Sequence, residues 1–303
     1  MKRLSLLLLF IVFSNPICLQ SQLLGKNKKC NYINDYYPLV YRAQIKYLEN
    51  DLDSALNYLN RAKNSCDLLN TRDIVERVIY AEIQVKRENY GLAFESLEEL
   101  LLTGFPVEYL EYNKLLEELK KRKEWKRLKE LSVEINDRNN DFFNWELRNE
   151  ILDMLKSDQE VRNDYPLDYD EMKAVDDSNQ KRMKEIFENY GYPNEKLIGY
   201  SNKNENVDIS LMLMHFDDLD YFKPKLLEYI EQGECNPYTL ASMVDSNNRK
   251  SRIYTYGIYS SVDSTEIKDF ANLDKRRKSI GLRTLEDHNK TMSLLMNKYK
   301  NNQ

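Results

Sequence analysis

Between about Asp35 and Asp137 small and apolar residues return at a fixed interval, and this recurrence limits what the chain can fold into more than any other feature. Ala43, Ala55, Leu59 and Ala62 in a first copy are matched by Ala81, Ala93, Leu97 and Leu100 in a second, and a looser third copy has Leu116, Leu128, Ser132 and Ile135. The counterparts Ala55, Ala93 and Leu128 lie 38 and 35 residues apart, which predicts stacked helical hairpins. Three residues before each of these stands a larger side chain: Leu52, Tyr90 and Trp125. Small residues let two helices approach closely, while the larger ones fill the groove to the next unit. With only 8 Gly and 7 Pro in 303 residues, long helices are easier to build than many tight turns. The expected fold class is all-α: a helical-hairpin repeat array over 30–139, followed by a mainly α-helical domain over 145–303 with at most a short β segment.

The array resembles the tetratricopeptide family, whose period is roughly 34 residues, over about a third of the chain. The family's signature tryptophan and glycine are mostly absent, and Asn50 holds the usual turn-glycine position. The resemblance implies a concave surface that takes an extended protein or peptide partner.

A polar run, Asn136-Asp137-Arg138-Asn139-Asn140, marks the expected domain boundary. Beyond it, apolar spacing predicts helices over Trp145 to Lys156, Asp176 to Tyr190, Val207 to Phe216, Tyr221 to Glu231 and Pro237 to Val244. A last helix is expected after Thr284, running toward Tyr299. Gly191 and Pro193 stop the second of these helices. Arg252 to Tyr259, rich in Tyr and Ile, reads as a short strand or extended edge.

The first residues have the order of a secretory signal peptide: Lys2 and Arg3, an apolar run from Leu4 to Phe13, and a break at Ser14-Asn15-Pro16. Cleavage is expected after Ser21, giving an exported, periplasmic or secreted chain without a transmembrane anchor, since a span needs roughly 20 apolar residues. Lipid attachment at Cys18 is disfavoured because Asn15-Pro16-Ile17 lacks the small residue that such processing requires. Removing Lys2 and Arg3 from a net charge of −5 leaves −7. That balance argues against a nucleic-acid partner, which needs a basic footprint. The basic run Lys120 to Lys123 sits beside Glu117, Glu118 and Glu124 and reads as a solvated helix face. In an oxidising compartment Cys30 and Cys66, flanking the first hairpin, either form a disulfide or remain two buried thiols; Cys235 is the odd one.

No phosphate-cradling glycine loop, Cys-x-x-Cys, His-Glu-x-x-His or Gly-x-Ser-x-Gly elbow is present. With His215 and His288 the only histidines, a multi-histidine metal site is excluded; no metal and no cofactor are expected. What remains is a series of polar residues at predicted helix ends: Asp158-Gln159 with Arg162, Asp176 with Asn179, Tyr190-Gly191-Tyr192-Pro193, His215 with Asp217, Asp245, Tyr256-Gly257, and Asp274 with Arg277 and Gly281-Leu282. Their order over Glu150 to Asn289 resembles a bacterial family known as domain-of-unknown-function family 6624. The family implies a fold and no established activity. Met214, Ser246 and Ile258 stand where the family pattern has a glutamine, an arginine and a threonine, which implies an altered site.

His215 closes the apolar run Ile209 to Met214 and carries two readings. In one it is a core-margin histidine satisfied by Asp217 or a carbonyl. In the other, Asp217 or Asp245 orients it as a general base. Arg277 reads as an ion-pair partner or an anion binder, and Tyr254, Tyr256 and Tyr259 as packing or as the wall of a ligand cleft. Candidate catalytic residues are therefore His215, Asp217, Asp245 and Arg277, and candidate binding residues Tyr256, Asp274, Asp158 and Arg162. Three functional classes stand: an exported binding or scaffold protein using the repeat surface, a hydrolase-like enzyme around His215, and a component of a larger assembly.

Overall fold

The small residues of the repeat set how the first helices pair. In the computed structural model, which describes residues 30–69, 75–139, 143–163, 165–202, 204–258 and 264–300, α1 (Tyr32–Asp35) and α2 (Tyr37–Leu48) lead into α3 (Leu52–Ser65), and α4 (Glu76–Lys86) pairs with α5 (Tyr90–Leu101). Ala43, Ala55, Ala62, Ala81, Ala93 and the leucines at 59, 97, 100, 116 and 128 are all buried. Both hairpins turn in the same way. Asn50 and Glu88 each adopt a left-handed φ of 60°, and the N–H groups of Asp51 and Asn89 reach back to the carbonyls of Lys46 and Gln84 at 2.9 Å. This is the closing bond of a helix C-terminus, repeated 38 residues on without glycine at either turn.

The third unit is irregular in its first arm. It comprises α6 (Glu108–Glu111), a 3-10 turn at Lys114–Leu116, α7 (Glu117–Lys120) and then the long α8 (Lys123–Asn139). The polar run read as a break continues α8 as far as Asn139, because it holds neither Gly nor Pro and its charges are compatible with helix.

The remaining chain forms α9 (Trp145–Asn163), α10 (Tyr169–Tyr190), α11 (Glu195–Ile198), α12 (Ser210–Leu213), α13 (Leu219–Gln232), α14 (Pro237–Asn247), α15 (Leu273–Ser279) and α16 (Leu285–Lys300). Three differ from the sequence expectation. α9 runs two turns past Lys156. α10 begins at Tyr169 rather than Asp176, because Asp168 caps it by accepting from the N–H groups of Asp170 and Glu171. The helix expected over 207–216 contracts to the single turn of α12. At Arg252 to Tyr259 the described residues form no strand, only an isolated bridge between Tyr254 and Ile267; Tyr259 lies outside them. The fold is all-α, and no helix among the described residues is long and apolar enough to cross a membrane. The leader expected over 1–21, the cleavage expected after Ser21, and Cys18 lie outside the described residues.

The largest apolar core is shared across the expected boundary. Tyr36, Tyr37 and Val40 from the first hairpin pack with Ile151, Phe222, Leu226, Leu240 and Ile280. The Tyr37 hydroxyl donates to the Cys235 carbonyl at 3.3 Å, Tyr41 donates to Gly281 at 3.0 Å, and α16 lies along α2. The second and third repeat units keep a core of their own around Leu97, Leu100, Trp125 and Leu128. Cys30 and Cys66 form a disulfide with Cα atoms 5.5 Å apart, joining the entry of α1 to the end of α3.

Beside this seam Glu76 is buried with its Oε2 lacking a hydrogen-bond partner. Burial pushes its carboxyl well above the usual 4.5, against the pull of the Tyr36 hydroxyl. The folded chain therefore binds this proton more tightly than the unfolded chain does. Stability from this group is complete below the ordinary carboxyl range and erodes as pH rises from there toward the folded value. Glu76→Gln, a neutral isostere, is expected to exceed the parent in stability by a margin that widens as pH rises above the ordinary carboxyl range, by at most about 1.4 kcal/mol per pH unit. Urea midpoints at three pH values check this, and a margin independent of pH contradicts it.

Candidate functional site

The polar residues singled out in the back half separate into two groups with different work. The first is built on the α9–α10 hairpin and the turn after α12. Asp158, in the last turns of α9, is fully buried. Its Oδ1 lies 2.9 Å from His215 Nδ1 and 3.1 Å from Arg162, and its Oδ2 accepts from Gln159 Nε2 at 2.6 Å. Arg162, one turn further along α9, extends its other amino group to Asp176 on α10 at 2.6 Å. Asn179, on the next turn of α10, donates to the Met154 carbonyl at 3.2 Å and fixes α10 against α9. His215 thus meets a carboxylate 57 residues earlier in the chain.

Two residues that the sequence did not mark hold the histidine's turn in place. Gln180, one helical turn after Asp176, accepts from the N–H groups of Asp217 and Asp218 at 2.9 and 3.0 Å. Asn247 at the end of α14 donates to the Phe216 carbonyl at 2.8 Å. The i, i+4 spacing of Asp176 and Gln180 was the available signal, since it puts both on one face of α10.

Neither carboxylate expected to orient His215 does so. Asp217 accepts from Gln180 Nε2 at 3.1 Å in an exposed setting. Asp245 on α14 belongs to the second group: Oδ1 accepts the N–H groups of Thr255 and Tyr256 at 2.8 and 2.9 Å, and Oδ2 that of Ile258 at 3.2 Å. On the other side of that turn Arg277, fully buried, donates to the carbonyls of Tyr256 and Arg283, both at 2.7 Å. A carboxylate and a guanidinium therefore grip one turn from its N–H and C=O sides, aligned with the peptide dipoles. Glycine suits its centre: the φ of Gly257 is 58°, and an added Cβ would meet Ile267 Cδ1 at 2.9 Å. Burial raises the Asp245 carboxyl and lowers the Arg277 guanidinium, while the turn's N–H groups pull Asp245 back. Tyr256 is buried here, and Asp274 accepts the Leu285 N–H at 2.9 Å, capping α16. Asp245, Tyr256, Asp274 and Arg277 brace the fold and do not enter the His215 group.

Chemically, the first group presents an imidazole with one nitrogen held. Among the described residues Nε2 of His215 meets no hydrogen-bond partner, and the side chain is 18% exposed. Oxygen and nitrogen atoms of Asp158, Asp176 and His215 lie within 4.8 Å of one another, close enough to hold a cation. Arg162 pairs with both carboxylates, at 3.1 and 2.6 Å, and already supplies positive charge to this cluster. Compared with protein-family models, curated proteins and solved structures, the chain matches none.

Proposed function

We propose that the chain is an exported acid–base enzyme of the hydrolytic class, with His215 as general base and Asp158 as the carboxylate that orients it. The carrying observation is the 2.9 Å contact between His215 Nδ1 and a carboxylate that is wholly buried, accepts from Gln159 and is ion-paired with Arg162. A carboxylate so fixed keeps the proton on Nδ1 and turns the lone pair of Nε2 outward. Among the described residues no serine, threonine or cysteine side chain is bonded to His215, and we take the group to be activated as water. In the step proposed, Nε2 takes a proton from water as the oxygen attacks an electrophilic carbonyl or phosphorus. The imidazolium, stabilised by Asp158, then returns that proton to the leaving group.

The tetratricopeptide-like hairpins act in this reading as a brace. The first of them is packed into the common core and α16 covers α2, so the chain itself occupies part of the surface a partner would use. The Cys30–Cys66 disulfide supports the exported part of the proposal, since such bonds persist in oxidising compartments.

Purified protein assayed against chromogenic carboxylic esters, phosphoesters and amides tests the reading. Turnover in one class is expected, with His215→Asn and Asp158→Asn each lowering kcat/KM about a hundredfold or more while circular dichroism is preserved. Variants as active as the parent, or no turnover in any class, overturn it.

A further inference from the structure

A cavity of about 1050 Å³ lies where the repeat units meet the back half, away from His215. Its walls come from the ends of α3 and α5 on one side and the loops around α11 and α14 on the other. Tyr192, Tyr200, Tyr109 and Tyr32 supply much of the apolar wall. Its size suits an organic molecule rather than a few waters. The wall is fastened across the seam: Thr103 bonds the Tyr200 hydroxyl at 3.0 Å, and Phe105 packs edge-on against the Tyr200 ring at 5.4 Å. The opening is thereby held by both halves of the chain.

The charge in the cavity has one sign in excess. Asp67, Glu195, Asp208 and Glu234 line it against Arg77 and Lys196, and among the described residues neither Glu195 nor Glu234 forms an ion pair. Each is partly desolvated, which raises its carboxyl; Lys196 acts on both from a distance, and Asp208 adds a further negative charge beside Glu195. Partly buried carboxylates without counter-ions are costly unless a positive group meets them. Aromatic faces attract the same kind of group, through the negative face of the ring.

We propose that this cavity binds an organic cation, an amine whose ammonium meets Glu195 and whose apolar body lies against the tyrosine wall. The ammonium replaces lost solvation at the Glu195 carboxylate, and the body removes ring surface from water. The site is independent of the His215 group, which shares no residue with its lining.

Isothermal titration with tyramine tests the proposal, with 4-ethylphenol as its uncharged counterpart and 3-(4-hydroxyphenyl)propionate as its anionic one. Tyramine is expected to bind, the phenol to bind about tenfold more weakly, and the anion weakest of all. Glu195→Gln should cost tyramine about tenfold in affinity and leave the phenol unchanged. His215→Asn should bind tyramine as the parent does, so loss of turnover and loss of binding report on different proposals. Three results overturn the inference: no tyramine binding up to about 10 mM, equal affinity for all three probes, or tyramine affinity unchanged in Glu195→Gln.

Discussion

Arg277→Met is expected to lower stability by about 3–5 kcal/mol, the range for removing one partner of a buried charged arrangement. The side chain is fully buried, and its Nε and Nη1 satisfy the carbonyls of Arg283 and Tyr256. Methionine fills similar volume but donates nothing, so two buried carbonyls lose their partners, at about 1–3 kcal/mol each. The Asp245 carboxylate also loses the positive charge facing it through the turn. Lysine is not expected to rescue the variant, because one ammonium lacks the planar fork that reaches carbonyls in different directions. Urea denaturation measures the loss, and hydrogen exchange at the amides of Thr255, Tyr256 and Ile258 locates it. A loss below about 1 kcal/mol with unchanged exchange at those amides would show that the turn stands without Arg277.

The same geometry sets how Asp245 and Arg277 combine. Both act on one turn, so Asp245→Asn should cost less in the Arg277→Met background than in the parent, because the turn is already released. Arg277 therefore differs from its reading as an ion-pair partner or anion binder: its acceptors are backbone carbonyls, and Asp245 reaches it only through the peptide groups between them.

This contrast shows which parts of the molecule the sequence could disclose. Buried alanines at 43, 55, 81 and 93 were legible because helix pairing depends on size at fixed spacing, a local and periodic property. Turn positions were legible at Asn50 only in part, since Glu88 adopts the same left-handed geometry with a side chain that gives no hint of it. The start of α10 was hidden because Asp176 resembles a cap, while the working cap, Asp168, lies beside Tyr165-Pro166 in a stretch that reads as loop. The site was harder still. Asp158, Arg162 and His215 each stood out as polar residues at helix ends, yet the pairing of Asp158 with His215 depends on how α9 packs against the turn after α12. No spacing within either segment encodes that packing. Asp217 was one of the two expected partners because it is close in sequence, and backbone direction turns it instead toward Gln180.

Loss of the Cys30–Cys66 bond is expected to cost about 4 kcal/mol by the chain-entropy relation for a loop of this length. The bridge closes 36 residues of sequence separation around α2 and α3, the hairpin that contributes Tyr36, Tyr37 and Val40 to the shared core. Without it the unfolded chain gains the freedom of that loop while the native contacts stay the same, so the effect resides in the unfolded state. The remaining thiol among the described residues does not complicate the test: burial pushes Cys235 up to about 12, leaving almost no thiolate at neutral pH to attack the bridge. Urea unfolding of the Cys30→Ser/Cys66→Ser double variant against the parent measures the loss, and reduction of the parent with dithiothreitol should reproduce most of it. Because the clamped hairpin shares its core with α13 and α14, the variant should still unfold in one transition for those elements, at a lower midpoint. A loss of under about 1 kcal/mol would mean that the hairpin stays closed in the unfolded ensemble without its bridge. An early separate transition of the first hairpin would instead show that the common core does not hold α2 and α3 once the bridge is gone.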